Sequence, residues 1–138
     1  MRQYLKYMFL FATGGLLYNV VELIYRGWTH WTMFFLGGAC FICLGAINEV
    51  LPWRMPLWQQ VLIGACMITG LEFITGCVVN LWLGWGVWDY SGVPGNLLGQ
   101  ICPRYFVLWL PVSLTGIVLD DWIRYWRYDE ERPRYRIF

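Results

Sequence analysis

The sequence predicts an all-α integral membrane protein, a bundle of four transmembrane helices with both termini in the cytoplasm. Of its 138 residues, 59% are hydrophobic and only 14% are charged, whereas soluble domains carry about 25% charged residues. Aromatic residues make up 20% of the chain, and Trp and Tyr favour the layer where lipid headgroups meet water. A chain of this length forms one domain, which is too small to hide so much apolar surface without lipid.

Four apolar runs predict the helices, because a membrane span needs about 20 residues. The predicted spans are about 4–25, 31–50, 57–85 and 96–123, followed by a short cytoplasmic tail over 124–138. Backbone polar groups need internal partners in lipid, so the spans are expected to be helical. The third run is longer than one span and predicts a tilt or break near Gly70 or Gly76. Pro103 and Pro111 predict kinks in the fourth helix.

The basic residues determine the predicted orientation. Eight of the ten Lys and Arg residues fall at the end of the bundle that carries both termini, which places that end in the cytoplasm by the positive-inside rule. These eight are Arg2, Lys6, Arg54, Arg124, Arg127, Arg132, Arg134 and Arg136. The net charge is only +1, so no nucleic-acid partner is expected. Expected partners are membrane lipids, with a second copy or a partner membrane subunit left open.

Polar side chains within the apolar runs are the candidate functional residues. A carboxylate at mid-bilayer costs about 2.5–3.5 kcal/mol on insertion scales, so it needs a partner or a function. Glu72 is the deepest carboxylate and has no basic residue within a turn, which makes it the leading candidate. Glu22 precedes Arg26 by four residues, the favourable order for a helical ion pair. The expected ligand-binding residues are Glu22, Arg26, His30, Glu72, Asn80, Trp88, Asp89, Asn96 and Gln100.

Tryptophans flank the polar residues on the side opposite the termini. They are Trp28, Trp31, Trp82, Trp85 and Trp88. An acid-containing cavity lined by Trp suits a cation or an amphipathic ligand, through cation–π contact and charge pairing. A structural interpretation stays open beside this one, because Glu22 with Arg26, and Glu49 with Arg54, also fit ion pairs at helix ends.

Several kinds of chemistry find no support in the sequence. His30 with Glu22 and Asp89 matches no metal-ligand spacing, so no metal site is expected. Cys40 and Cys43 form a C-x-x-C pair, but thiols at mid-span are desolvated and unreactive, so these cysteines are interpreted as buried packing residues. A Walker A motif is missing from the sequence, so the chain is not itself an ATPase. The sequence identifies no cofactor.

Six segments resemble the bacterial branch of the ABC-transporter type IV permeases, the CmpB-like family. They are Arg26–Phe41, Ile47–Trp53, Met55–Gln60, Ile68–Asn80, Val87–Cys102 (VWDYSGVPGNLLGQIC) and Leu119–Tyr125. The resemblance covers nearly the whole chain. It implies a role in transport and a set of recurring polar positions. Those positions are Glu22, Arg26, His30, Asn48, Glu49, Glu72, Asn80, Asp89, Tyr90, Ser91, Asn96 and Gln100. Pro103-Arg104 departs from the family pattern by placing a charge near this set.

The sequence therefore favours a transporter or permease component of the cell membrane that binds a small ligand in an acid- and Trp-lined, outward-facing cavity. One alternative is a membrane-embedded enzyme that uses the paired acids and His30 on a lipid or quinone-like substrate. Another is a non-catalytic membrane partner subunit. An ATPase encoded next door favours the permease, whereas a retained hydrophobic ligand without flux favours an enzyme or a binder.

Overall fold

The computed structural model describes residues 2–27, 29–50, 55–130, 132–133 and 135. Within these ranges the chain forms four α-helices: α1 (Arg2–Arg26), α2 (Trp31–Val50), α3 (Leu57–Gly76) and α4 (Pro103–Tyr128). A π-helical segment, Cys77–Trp82, continues α3. The described residues include no named β-strand, only an isolated bridge between Leu97 and Ile101. The predicted all-α class is therefore confirmed.

Among the described residues, three helical stretches are long and apolar enough to cross a membrane, namely Gln3–Ile24, Leu57–Trp82 and Pro103–Tyr128. The shortest has 22 residues and covers about 33 Å at ~1.5 Å per residue, against ~30 Å of bilayer hydrocarbon. Their surfaces expose large apolar side chains, Ile74 and Val107 among them, which lipid solvates better than water does. The chain is thus a membrane protein.

Helix α2 lies at the centre of the bundle and packs against all three others. Helix α1 packs mainly on α2, and α3 mainly on α4, so the bundle consists of two helical hairpins joined through α2. Glycines bring α1 and α2 close together: a Cβ atom on Gly14 would overlap Phe41, and one on Gly37 would overlap Tyr18. Close approach through small residues is typical of helices packed in membranes.

The connection between α3 and α4 is longer than the sequence suggests. Helix α4 begins at Pro103 instead of near residue 96, and residues 83–102 form a connecting segment. Positive φ angles at Gly95, Leu98 and Gly99 interrupt the helix that this apolar stretch predicts. Pro103 occupies the first turn of α4, where its missing N–H costs nothing. The expectation that Pro103 kinks a helix is therefore wrong, whereas Pro111 does lie inside α4.

An ion pair joins the two terminal regions at one end of the bundle. The Lys6 ammonium lies 2.5 Å from the Glu130 carboxylate, which follows the end of α4. Within α4, Arg124 Nε donates to Asp120 Oδ2 over 2.7 Å, and both side chains are buried. Other polar residues predicted for this end lie outside the described side chains: Asn48, Glu49 and Arg54.

Candidate functional site

Glu72 in α3 is a carboxylate with only 2% of its surface exposed. Its two oxygens accept hydrogen bonds from different parts of the fold. Trp109 Nε1 in α4 donates to Oε1 over 3.3 Å, and the Tyr90 hydroxyl in the connecting segment donates to Oε2 over 3.2 Å. In the described part of the chain, no Lys or Arg forms an ion pair with Glu72. Neutral aromatic donors thus hold this carboxylate.

Tyr90 is itself fixed by a second aromatic ring. It stacks on Tyr105 of α4 with ring centroids 4.5 Å apart and planes 10° apart. Burial, and then the neighbouring Glu72 carboxylate, raise the pKa of the Tyr90 hydroxyl. The hydroxyl therefore keeps its proton and remains a hydrogen-bond donor to Glu72.

Asn80 and Gln100 hold the connecting segment against the π-helical segment. Asn80 Oδ1 accepts from the Val87 backbone N–H over 2.7 Å, and its Nδ2 donates to Gln100 Oε1 over 2.8 Å. Trp88 Nε1 then donates to the Gln100 carbonyl over 3.0 Å. A Cβ atom on Gly76 would lie 2.9 Å from the Trp88 ring and closer still to Gln100. A glycine at this position therefore lets the Trp88 ring lie against α3.

Asp89 and Asn96 shape turns of the connecting segment. Asp89 Oδ1 accepts the Ser91 backbone N–H over 2.9 Å, and this bond, with one from the Ser91 side chain, lowers the pKa of the Asp89 carboxyl. Asn96 Nδ2 donates to the Val93 carbonyl over 2.8 Å, and its Oδ1 accepts the Gly99 N–H over 2.9 Å. Asx turns of this kind fix loop conformation, so these side chains position their neighbours.

Two adjoining cavities form one cleft between α1 and α4. The first, called here the polar end, has a volume of about 240 Å³ and lies at the end of the bundle opposite the termini; its walls include Glu22, Trp88, Tyr90, Tyr105 and Trp109. The second, called here the apolar groove, has a volume of about 370 Å³ and continues along α4 toward the other end. Val21, Trp109, Pro111 and Val112 line both cavities. Glu72 lies directly behind Tyr90 and Trp109.

The structure brings together only part of the predicted site. Glu22 and Trp88 reach the polar end, and Glu72 lies behind it. His30 instead stands at the start of α2, where its Nδ1 accepts the Thr32 backbone N–H over 3.3 Å. The side chain of Arg26, and with it the predicted Glu22–Arg26 pair, lies outside the described residues.

The tryptophans predicted around the site also separate. Trp31 and Trp85 pack on each other with ring centroids 5.6 Å apart, and both line another cavity beside α2 and α3. Trp82 is 79% exposed, and Trp28 lies outside the described residues. Among the described tryptophans that were predicted around the site, Trp88 lines the cleft.

Sequence reasoning missed Tyr105 and Trp109 as members of the site. A signal for Trp109 was available, because a buried indole N–H needs an acceptor and Glu72 needs a donor. Nothing in the sequence says that residues 37 positions apart meet, since that contact depends on how α3 packs against α4. Tyr105 carries no comparable signal.

The described walls of the cleft offer an acid and aromatic rings as binding groups. Among the described residues, no three His, Cys, Asp or Glu side chains are grouped as metal ligands. All five cysteines are free, and Cys40 lies in the floor of the apolar groove. What the polar end presents is a carboxylate among four aromatic rings, an arrangement suited to a positively charged group.

The chain was compared with known proteins. Residues 4–125 match the model of a protein family described as "Putative ABC-transporter type IV". No curated protein and no solved structure matches this chain.

Proposed function

This chain belongs to the ABC-transporter type IV family, and from that membership we propose that it is a permease component of the cell membrane that binds a small ligand at the polar end of the cleft. The observation that carries the proposal is Glu72, buried to 2% exposure and held by Tyr90 and Trp109. A buried carboxylate inside a membrane is costly, and here it stands beside a cavity of ligand size.

The ligand class follows from the walls of the polar end. Glu22 supplies a carboxylate, while Trp88, Tyr90, Tyr105 and Trp109 supply aromatic surface. Aromatic rings and acids together attract cations, so the proposed ligand carries positive charge. Asn80, Asp89, Asn96 and Gln100 act indirectly, because their hydrogen bonds hold the segment that delivers Trp88 and Tyr90.

The proposed orientation places the polar end outside the cell. The ion pair of Lys6 with Glu130 lies where the terminal regions meet, and the sequence predicts most of the basic residues at that end, which favours the cytoplasm. The polar end lies at the other end and so faces outward.

The energy source lies outside this membrane domain in this proposal. The 138 residues contain no Walker A motif for binding nucleotide phosphates, so the domain is not itself the ATPase. A second copy of this chain or a partner membrane subunit completes the proposed permease, since one four-helix chain is small for that role.

Glu72→Gln tests the proposal because it keeps the shape and deletes the charge. Binding of radiolabelled choline and alkyl-substituted choline analogues is measured on the full chain in liposomes. We expect Glu72→Gln to fold and to bind at least about tenfold more weakly, because it removes a negative charge directly behind the cavity and weakens the hydrogen bonds that hold Tyr90 and Trp109 in its wall. Asp129→Asn is the matched control: it also removes one carboxylate, but at an exposed position on the opposite end. Equal binding by parent and Glu72→Gln, or no cation bound by the parent, would show the proposal to be wrong.

A further inference from the structure

The polar end and the apolar groove adjoin each other within the cleft. Val21 of α1 and Trp109, Pro111 and Val112 of α4 line both. Along α4 the lining runs from Tyr105 to Leu119, which is about 21 Å at ~1.5 Å per residue. That length exceeds half of the ~30 Å hydrocarbon thickness. A ligand filling the whole cleft is therefore elongated.

The apolar groove is open on its side, between α1 and α4. Its floor is buried and includes Gly37, Leu44 and Ile68. Its rim is exposed: Leu17 is 42% exposed, Val20 51% and Val112 37%. Because the rim belongs to the apolar faces of membrane-spanning helices, the opening faces the bilayer interior.

Three side chains at the polar end already donate their N–H or O–H groups to acceptors within the protein. Trp88 Nε1 donates to the Gln100 carbonyl, and Trp109 Nε1 and the Tyr90 hydroxyl donate to Glu72. What these three side chains offer a ligand is aromatic surface. Together with the Glu22 carboxylate, this surface matches a quaternary ammonium, which carries charge and has no N–H to satisfy.

We infer that the cleft binds an amphiphile with a quaternary ammonium head and a single apolar chain, which enters sideways from the bilayer between α1 and α4. The head occupies the polar end and the chain lies in the apolar groove. This inference rests on the proposed function and adds the chain, the class of head and the route of entry. The carboxylate and the rings select the head, and the walls of the groove select the chain.

Dodecyltrimethylammonium is the probe, added at increasing mole fraction to the full chain in neutral-detergent micelles, with the thermal unfolding midpoint as the readout. A ligand that binds the native state raises this midpoint. Choline supplies the head without the chain, and dodecanol supplies the chain without the charge. We expect saturable stabilisation by dodecyltrimethylammonium, and much weaker effects from the other two at equal concentration.

Val112→Trp fills the junction of the two cavities, and Leu114→Trp is its matched control. The two positions lie on the same helix with 37% and 39% exposure, but Leu114 does not line the cleft. Val112→Trp should require at least about tenfold more probe for the same stabilisation, and Leu114→Trp less than about twofold more. Thr115→Trp, on the exposed rim of the groove, should repeat the effect and serves if Val112→Trp does not fold.

Three results would overturn the inference: equal stabilisation by choline, equal stabilisation by dodecanol, or groove variants that respond like Leu114→Trp. The first result would show that the apolar chain does not contribute to binding, and the second that the ammonium head does not. The third would show that the ligand does not bind in the cleft. If the inference fails but Glu72→Gln still weakens cation binding by at least about tenfold, the proposed function stands without the inference. If Glu72→Gln binds like the parent, the proposed function fails with it.

Discussion

Trp109 and Glu72 link α4 to α3 through one hydrogen bond of 3.3 Å between the indole N–H and the carboxylate. Trp109→Phe keeps an aromatic ring and removes the donor. We expect the free energy of unfolding to fall by about 1 kcal/mol, because the acceptor left behind is buried and hydrogen bonds within membranes contribute modestly. Unfolding in mixed micelles measures the change. Trp58→Phe is the control, since Trp58 is 52% exposed; equal losses in both variants would contradict the prediction.

Gly76 and Gly70 lie in the same helix in opposite surroundings. A Cβ atom on Gly76 would press on Trp88 and Gln100, whereas one on Gly70 would meet nothing within 4 Å. Gly76→Ala should cost about 1–3 kcal/mol through overpacking and shift the fluorescence of Trp88. Gly70→Ala should be neutral or stabilise by up to about 1 kcal/mol, as Ala favours the helix. A Gly76→Ala variant as stable as Gly70→Ala would show that Trp88 does not pack on this glycine.

Asp120 and Arg124 form a buried pair at the opposite end, with exposures of 0% and 4%. Asp120→Asn leaves the guanidinium without this carboxylate, and breaking a buried pair costs about 3–5 kcal/mol. Glu130, 3.8 Å from Arg124, should keep the loss near the lower value. Adding Arg124→Gln should recover part of the stability, because the two effects are coupled. Strictly additive losses in the double variant would exclude that coupling.

The orientation of the chain is tested by reporter fusions at Phe138. Both termini are predicted in the cytoplasm, because the sequence assigns eight of the ten basic residues to their end of the predicted bundle. A reporter active only in the cytoplasm should work there, and one active only outside should not. A fusion just after Gly92, in the connecting segment, should give the reverse pattern. Activity of the outside reporter at Phe138 would reverse the proposed direction of the polar end.

The helical class and the burial of the Glu72 carboxylate within a helix could be predicted from the sequence because they depend on local composition. The start of α4 could not, since most residues from Leu97 to Cys102 are apolar and the break in the helix depends on backbone angles at Gly95, Leu98 and Gly99. The partners of Glu72 were also out of reach. Trp109 meets it only through the packing of α3 on α4, and Tyr90 only through the fold of the connecting segment.

The amide side chains of the connecting segment, and of the π-helical segment before it, show a related limit. Asn80, Asn96 and Gln100 are polar residues near a membrane, which predicts contact with a ligand. In the fold they bond mainly to backbone groups and to each other. The sequence indicates that such side chains need hydrogen-bond partners. Only the folded chain shows that those partners belong to the protein itself.

The sideways opening of the apolar groove changes what a bound chain must displace. A pocket that opens to water gains affinity from the hydrophobic effect, but lipid tails are as apolar as the groove itself. Removal from water therefore contributes little to choosing one chain over another, and the competitor is the acyl chain of the surrounding lipid. Selectivity for chain length then rests on shape, through residues such as Gly116 and Leu44 in the floor. Occupancy should accordingly vary with the lipids of the host membrane, even when the ligand and the protein stay the same.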